Sequence, residues 1–164
     1  MIFGRPGSGK STFAVRLHRA LGLPVYHLDR YFFVCDWQKR GSEEFLSLQQ
    51  SIVLQDKWII DGNALRTLDI RYQRAQVAIY FAFPRYLCLW RILKRRFTER
   101  DPHILDRATG CDERVRWPLL TYTWSFKKRI TPILSYLQTT YPEVALHIVH
   151  SDEEVNTLFS QLVS

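Results

Sequence analysis

Gly4, Gly9, Lys10 and Ser11 stand in the spacing G-x-x-x-x-G-K-[ST], within the stretch GRPGSGKST of Gly4 to Thr12. These residue types at this spacing suit one task, holding the phosphates of a nucleotide. Glycines let backbone N–H groups approach phosphate oxygens at a helix N-terminus, where the helix dipole also favours an anion. Lys10 can then reach the β- and γ-phosphates, and the Ser11 hydroxyl can ligate Mg²⁺. Pro6, Gly7, Ser8 and Thr12 complete the loop and are expected to line the same phosphates. A Gly-rich turn entering a helix is the plain alternative, and the complete motif argues against it.

A phosphate loop does not name a reaction, so the metal ligand, acceptor and charge-stabilising groups must lie elsewhere. WIIDGN, Trp58 to Asn63, places Asp61 at the end of a short apolar run, where a carboxylate can hold Mg²⁺ directly or through water. Asp29, in HLDRYFF, has the equivalent place one strand earlier. It either orients an acceptor hydroxyl across the cleft or caps the next turn. In PRYLCLWRILKRR, Arg91 and Arg95 are four apart and share one helix face, so both can meet one anion. The stretch TERDPHILDRATGCDER adds Arg100, Arg107 and Arg114 and has the length of a lid that excludes water. His103 and Cys111 lack the spacing of a structural zinc site.

The elements that must position these groups alternate. Met1 to Phe3 reads as a strand stub, Ser11 to Leu21 as a helix ending at Gly22, and Leu23 to Leu28 as a second strand. Ser42 is expected to cap a helix reaching about Leu54, with Glu43 and Glu44 in its first turn. Lys57 to Ile60 and Gln76 to Phe83 read as strands. Tyr86 to Phe97 reads as a helix, Thr98 to Asp112 as a polar loop, and Glu113 to Leu137 as a helix interrupted near Pro118 and Pro132. Ala145 to Val149 is a fifth strand, and Ser151 caps a last helix. Short apolar strands separated by helices specify a mainly parallel α/β sheet with helices on both faces. Ligands of such sheets sit at the carboxyl ends of the strands, which selects Gly4, Asp29, Asp61 and Arg85.

Composition bounds the class. A chain of 164 residues with 46% hydrophobic content is expected to form one domain over residues 1–164. No apolar run is long enough to cross a bilayer and no secretory h-region is present, so a soluble cytoplasmic protein is expected. Cys35, Cys88 and Cys111 are odd in number and far apart, which points to free packing thiols rather than a disulfide framework. Between Arg85 and Arg129 there are 12 Lys or Arg against 5 Asp or Glu, so this segment carries the whole +7 net charge. An anionic partner follows, either ligand phosphates or a nucleic acid, unless the segment is simply a solvated face.

Together GSGKST, PVYHLD, WIIDGN, TLDIR, the FPR of Phe83 to Arg85 and CLWRILKRR resemble the adenylate-kinase-like P-loop kinases. More closely they resemble the DNA topology modulation protein family. The resemblance implies a three-layer P-loop NTPase fold with a five-stranded parallel sheet in the order 2-3-1-4-5. It also implies an acceptor-binding region at about 29–54 and a lid at about 96–114. By position, Lys10 and Ser11 would contact phosphate and Mg²⁺, and Asp61 would be the metal-associated acid. Arg91 would lie against the adenine and Arg95 on the phosphates. The sequence departs from the pattern in three places. Asn63, Ala64 and Leu65 follow the DG pair, with Arg66 displaced by one and Arg71 in TLDIR a substitute anchor for the acceptor. Ala82 stands where the related pattern FDFPR has an acid. Only three residues precede Gly4, so a start further upstream or a thin core edge is expected.

The expected activity is ATP-dependent phosphoryl transfer to a small molecule, with nucleotides and nucleosides among the candidates. ATP and Mg²⁺ would be the cofactors, and Lys10, Asp29, Arg91 and Arg95 the catalytic groups. The alternatives are a nucleotide-dependent regulator on DNA and a P-loop protein that binds without turnover. DNA is the less favoured partner, because no helix-turn-helix, zinc finger or basic arm is present. Tyr31, Phe32, Phe33 and Trp37 either stack on an acceptor base or form core.

Overall fold

Five apolar segments lie side by side in one parallel sheet: β1 Ile2–Gly4, β2 Val25–His27, β3 Ile59–Asp61, β4 Val77–Phe81 and β5 Ala145–Val149. Their order is β2-β3-β1-β4-β5, as the resemblance implies. The computed structural model describes residues 1–32, 40–95 and 117–164. The lid expected at about 96–114, with Arg100, Arg107, Arg114, His103 and Cys111, lies outside the described residues, as do Phe33, Cys35 and Trp37.

Register brings the strand ends together. His27 pairs with Asp61 between β2 and β3, Ile2 with Asp61 between β1 and β3, and Gly4 with Phe81 between β1 and β4. Residues separated by tens of positions therefore share one edge of the sheet, its carboxyl end, where ligands of this architecture bind.

Alternate residues of each strand enter two cores. Ile2, Ile79, Phe81 and Val149 meet Phe13, Ala14 and Leu17 of α1 (Lys10–Leu21), Cys88 of α5 (Arg85–Lys94) and Val155 and Leu158 of α7 (Asp152–Val163). Phe3, Ala78 and Tyr80 meet Leu68 and Tyr72 of α4 (Leu68–Tyr72) and Phe126, Ile130 and Leu137 of α6 (Trp117–Thr140). A smaller cluster joins Leu28 of α2 (Leu28–Phe32) and Ile60 to Phe45, Ile52 and Val53 of α3 (Ser42–Val53). Helices thus cover both faces, the requirement for strands that are apolar on both sides. Phe32 meets Phe45 edge to face at 5.0 Å, and Tyr31 also lies against this cluster, so both contribute to core.

Several boundaries differ from those expected. Strand two stops at His27, because Leu28 already begins α2. Gly41, not Ser42, is the N-cap of α3, with no side-chain capping bond, and Ser42 is the first helical residue. Helix α6 runs unbroken through Pro132 to Thr140, and its only described proline near the start, Pro118, lies in the first turn. There the missing N–H has no helical acceptor anyway. Pro132 is exposed, so the carbonyl it leaves unpaired faces water. Ser151 caps α7 as expected, accepting the Glu154 N–H at 3.2 Å while Glu154 accepts the His150 N–H at 2.8 Å. Cys88 is buried and free.

Candidate functional site

The loop between β1 and α1 is fixed by its own glycines. Gly7 has φ 80°, and a Cβ there would lie 2.5 Å from the Cys88 carbonyl oxygen, so only glycine lets the loop lie against α5. Gly9, at φ 96°, is the N-cap of α1. No side chain caps this helix and no acid stands in its first turn, which leaves its leading N–H groups available to an anion. Lys10 Nζ folds back over the loop and donates to the Arg5 carbonyl at 3.2 Å. The Ser8 hydroxyl is buried with no partner among the described residues. Pro6, Gly7 and Ser11 are half-buried, and Gly9 and Thr12 are exposed.

Asp61 completes this half of the site. Ser11 Oγ donates to its Oδ2 at 2.7 Å, and His27 Nδ1 lies 2.9 Å from the same oxygen. Burial alone would raise the Asp61 carboxyl. The bond from His27, the charges of Lys10 and His27 and the Ser11 hydroxyl outweigh it and hold the carboxyl below its usual value. An ionised carboxylate only accepts, so Nδ1 of His27 carries the proton in this contact. Asp61 Oδ1 is buried and has no partner among the described residues. An anionic oxygen without a donor among the described residues, on a carboxyl whose other oxygen accepts from a motif serine at 2.7 Å, fits a hard divalent cation such as Mg²⁺. Ser11 and Asp61 are the residues that would hold it, and Lys10 lies near enough for its charge to act on Asp61.

Two residues that the sequence reading left without this role support the pair. His27 is the last residue of β2, the strand-end position that selects ligand-side groups, but the reading stopped two residues later at Asp29. Asn63 was legible only as a departure from the nucleotide-kinase pattern. Its Oδ1 accepts the Gly4 N–H at 3.0 Å, tying the turn after β3 to the loop.

The other expected groups are dispersed. Arg71, the candidate acceptor anchor, is fully buried and donates to the carbonyls of Gly62 at 2.9 Å, Asn63 at 2.7 Å and Ala64 at 3.4 Å. It therefore clamps the turn after β3 instead of facing an acceptor. Burial pulls its guanidinium down to about 10 against the charges of Asp61, Asp29 and Asp69. Arg66 is exposed. Asp29 is exposed in the first turn of α2, and its charge acts on Arg71 and on Tyr122 of α6. Burial, with Asp29 second, pushes the Tyr122 hydroxyl up to about 12.

Arg91 reaches the loop: its Nη1 donates to the Ser8 carbonyl at 3.5 Å, and its guanidinium lies 5.2 Å from the Phe83 ring centre. Its Nη2 pairs with Asp152 at the start of α7. Arg95 is the C-cap of α5, exposed one turn further out. Arg85 opens α5 and stacks over Trp124 of α6 at 3.9 Å. The fold thus brings together Lys10, Ser11, Asp61 and Arg91, while Asp29 and Arg95 stand at the margins.

No protein-family model matches this chain, and no curated protein matches it. Among solved structures it is similar to the shikimate kinase of Bacteroides thetaiotaomicron, with TM-score 0.56 and 15% identity over 98% of this chain and 93% of that one. It is similar also to the shikimate kinase of Aquifex aeolicus, with TM-score 0.50 and 16% identity over 98% and 94%. A third neighbour is an uncharacterized protein of Eubacterium ventriosum, with TM-score 0.51 and 11% identity over 99% and 93%. Identities this low establish the fold, that of the P-loop kinases, and nothing finer.

Proposed function

We propose that the protein is an ATP-dependent phosphotransferase of adenylate-kinase-like type that acts on a small molecule. The observation that carries this reading is the Ser11–Asp61 contact at 2.7 Å, with the second Asp61 oxygen buried and unpartnered among the described residues and the charge of Lys10 acting on the carboxyl. Such an arrangement suits a site that must meet both a cation and phosphate oxygens. Mg²⁺, when bound, supplies charge neutralisation on the transferred phosphoryl group. The chain's own residues do the remainder. The loop and the start of α1 bind phosphate oxygens, Lys10 swings from the Arg5 carbonyl to the outer phosphates, and Arg91 adds positive charge at the Ser8 side. Asp29 orients the acceptor hydroxyl, and Arg95 with residues of the 96–114 segment screens developing charge from water. No helix among the described residues is long and apolar enough to cross a membrane, and we assign the protein to the cytoplasm.

A second reading, a nucleotide-dependent regulator that binds DNA, is favoured by one set of contacts. Exposed aromatics pair with cations on α5 and α6, with Arg85 of α5 over Trp124 of α6 at 3.9 Å and Lys94 over Trp90 within α5 at 4.8 Å. Stacked cation and ring pairs of this kind also suit bases and phosphates.

One experiment separates the two. ADP release from Mg²⁺-ATP is measured with purified protein over nucleoside monophosphates, nucleosides, hydroxylated acids including shikimate, and duplex DNA. A rate increase with one small acceptor supports the kinase. Stimulation by DNA alone, steep in salt, replaces it with the regulator. Tight ATP binding with no turnover under any condition removes both the acceptor role of Asp29 and the transferase assignment.

A further inference from the structure

A cavity of about 320 Å³ opens on the α6 side of the sheet, between α6 and the carboxyl ends of β4 and β5. Of the Gly4–Thr12 loop, Arg5 alone is among its described lining residues. The cavity lies toward the β5 edge, whereas Asp29 follows β2 at the opposite edge. Tyr80, Ile130, Leu134 and Ile148 form its apolar walls. Its polar lining holds no Asp or Glu. Arg5 and Lys127 supply positive charge, Thr131, Ser135 and Gln138 project hydrogen-bonding groups from successive turns of α6, and His150 closes one end. The His150 ring sits 3.4 Å from Glu154, so its charge is already balanced when it is protonated.

Arg5 marks the cavity as unfinished. Its side chain is only 7% exposed, and Nη1 donates to the Phe83 carbonyl. Its Nε is buried with no acceptor among the described residues. A buried guanidinium N–H without an acceptor is unfavourable and is normally met by a carboxylate or phosphate oxygen. Ala82 lines the same cavity. The described lining therefore holds cations and space but no carboxylate.

We propose that this cavity is a second ligand site, for a small hydroxylated organic oxyanion that supplies the acceptor for Arg5. The charged end meets the Arg5 guanidinium and Lys127, and the hydroxyls meet Thr131, Ser135 and Gln138. The volume is at the lower end of small-molecule sites, which suits a small occupant. The Arg5 carbonyl also accepts from Lys10 Nζ at 3.2 Å and from the Ser8 N–H at 3.2 Å. One residue thus touches both sites, so occupancy of the cavity biases the position of Lys10, and the coupling is reciprocal.

The site stands whether or not the loop transfers phosphate, and its test is binding. Glycerate and citrate, as carboxylates, and glycerol 3-phosphate, as a phosphate ester, are titrated calorimetrically into the intact protein at constant ionic strength, with and without Mg²⁺-ATP. The expected result is saturable 1:1 binding of one probe that Mg²⁺-ATP does not displace. The probe that binds identifies the oxyanion as carboxylate or phosphate. Ala82→Asp, which places a carboxylate in the cavity wall, is expected to weaken that binding about tenfold or more. Ser135→Leu narrows the cavity from exposed α6 without touching Arg5 and is expected to weaken it too, so a poorly folding Ala82→Asp protein leaves the test intact. Displacement by Mg²⁺-ATP would assign the cavity to the nucleotide site and overturn the proposal. Unchanged affinity in the folded variants, or no saturable binding of any probe, would overturn it as well.

Discussion

The two halves of the carboxyl edge of this sheet are built differently. Around β1 and β3, polar side chains are turned toward the loop: Ser11 and His27 onto Asp61, Asn63 onto Gly4, Lys10 over Arg5. Around β2 and α4, charge is turned inward or outward instead. Arg71 is spent on three backbone carbonyls, and Asp29 and Arg66 are exposed. A phosphate site needs a fixed nest of donors and one oriented carboxylate, so it can be assembled before any ligand arrives. The described part of the acceptor side holds no such preassembled constellation. What the difference teaches is that contacts among the described residues preassemble the loop half, whereas the half proposed for the acceptor holds no comparable set of converging groups.

The largest expected effect comes from the assembled half. Lys10→Ala should lower Mg²⁺-ATP turnover about 10³-fold while the melting curve stays near wild type, since one preorganised cation at developing charge contributes on that scale. Wild-type ATP affinity in this variant would dissolve the contrast at its strongest point. Arg71→Met tests the other half through stability: urea titration should show a loss of about 2–4 kcal/mol, because three carbonyls lose a buried donor. If stability were unchanged and only the acceptor KM rose, Arg71 would belong to the acceptor after all.

Smaller effects sharpen the boundary between the halves. Asp29→Asn should lower kcat about tenfold to a hundredfold at unchanged KM for ATP, as expected for a group that positions only the acceptor. An unchanged kcat would reduce Asp29 to an acid in the first turn of α2. Asp152→Asn releases Arg91 from a partner whose side chain is 67% exposed, so folding stability should change by less than about 1 kcal/mol. A few-fold tighter ATP affinity by fluorescence titration should accompany it. Weaker affinity would mean that the Arg91–Asp152 pair itself positions the arginine for the nucleotide.

Much of the fold was legible because its signals are local. The apolar runs at VAIYF and ALHIV, the glycine after Leu21 and the Ser151 cap each act within a few residues, and the strands and helices formed there. Ser42 misled because its neighbour Gly41 supplies the extended backbone at the cap, a choice of dihedral that residue type alone does not force. Helix α2 was missed because a five-residue helix has too few positions to show a period.

The phosphate loop was determined by the sequence itself: glycine at left-handed positions, a lysine and a serine at the first turn of a helix encode a nest of donors without reference to the rest of the chain. The partners of Asp61 were decided only by tertiary structure. His27 precedes it by 34 positions and Ser11 by 50, and they meet because parallel register sets strand ends side by side. The same holds for Arg71, which the sequence offers as a substitute anchor for the acceptor but which the closing of α4 against the turn after β3 buries completely. Backbone preference acts over a few bonds and is written in order along the chain, whereas the partner of a buried charge depends on which segments the core brings to it.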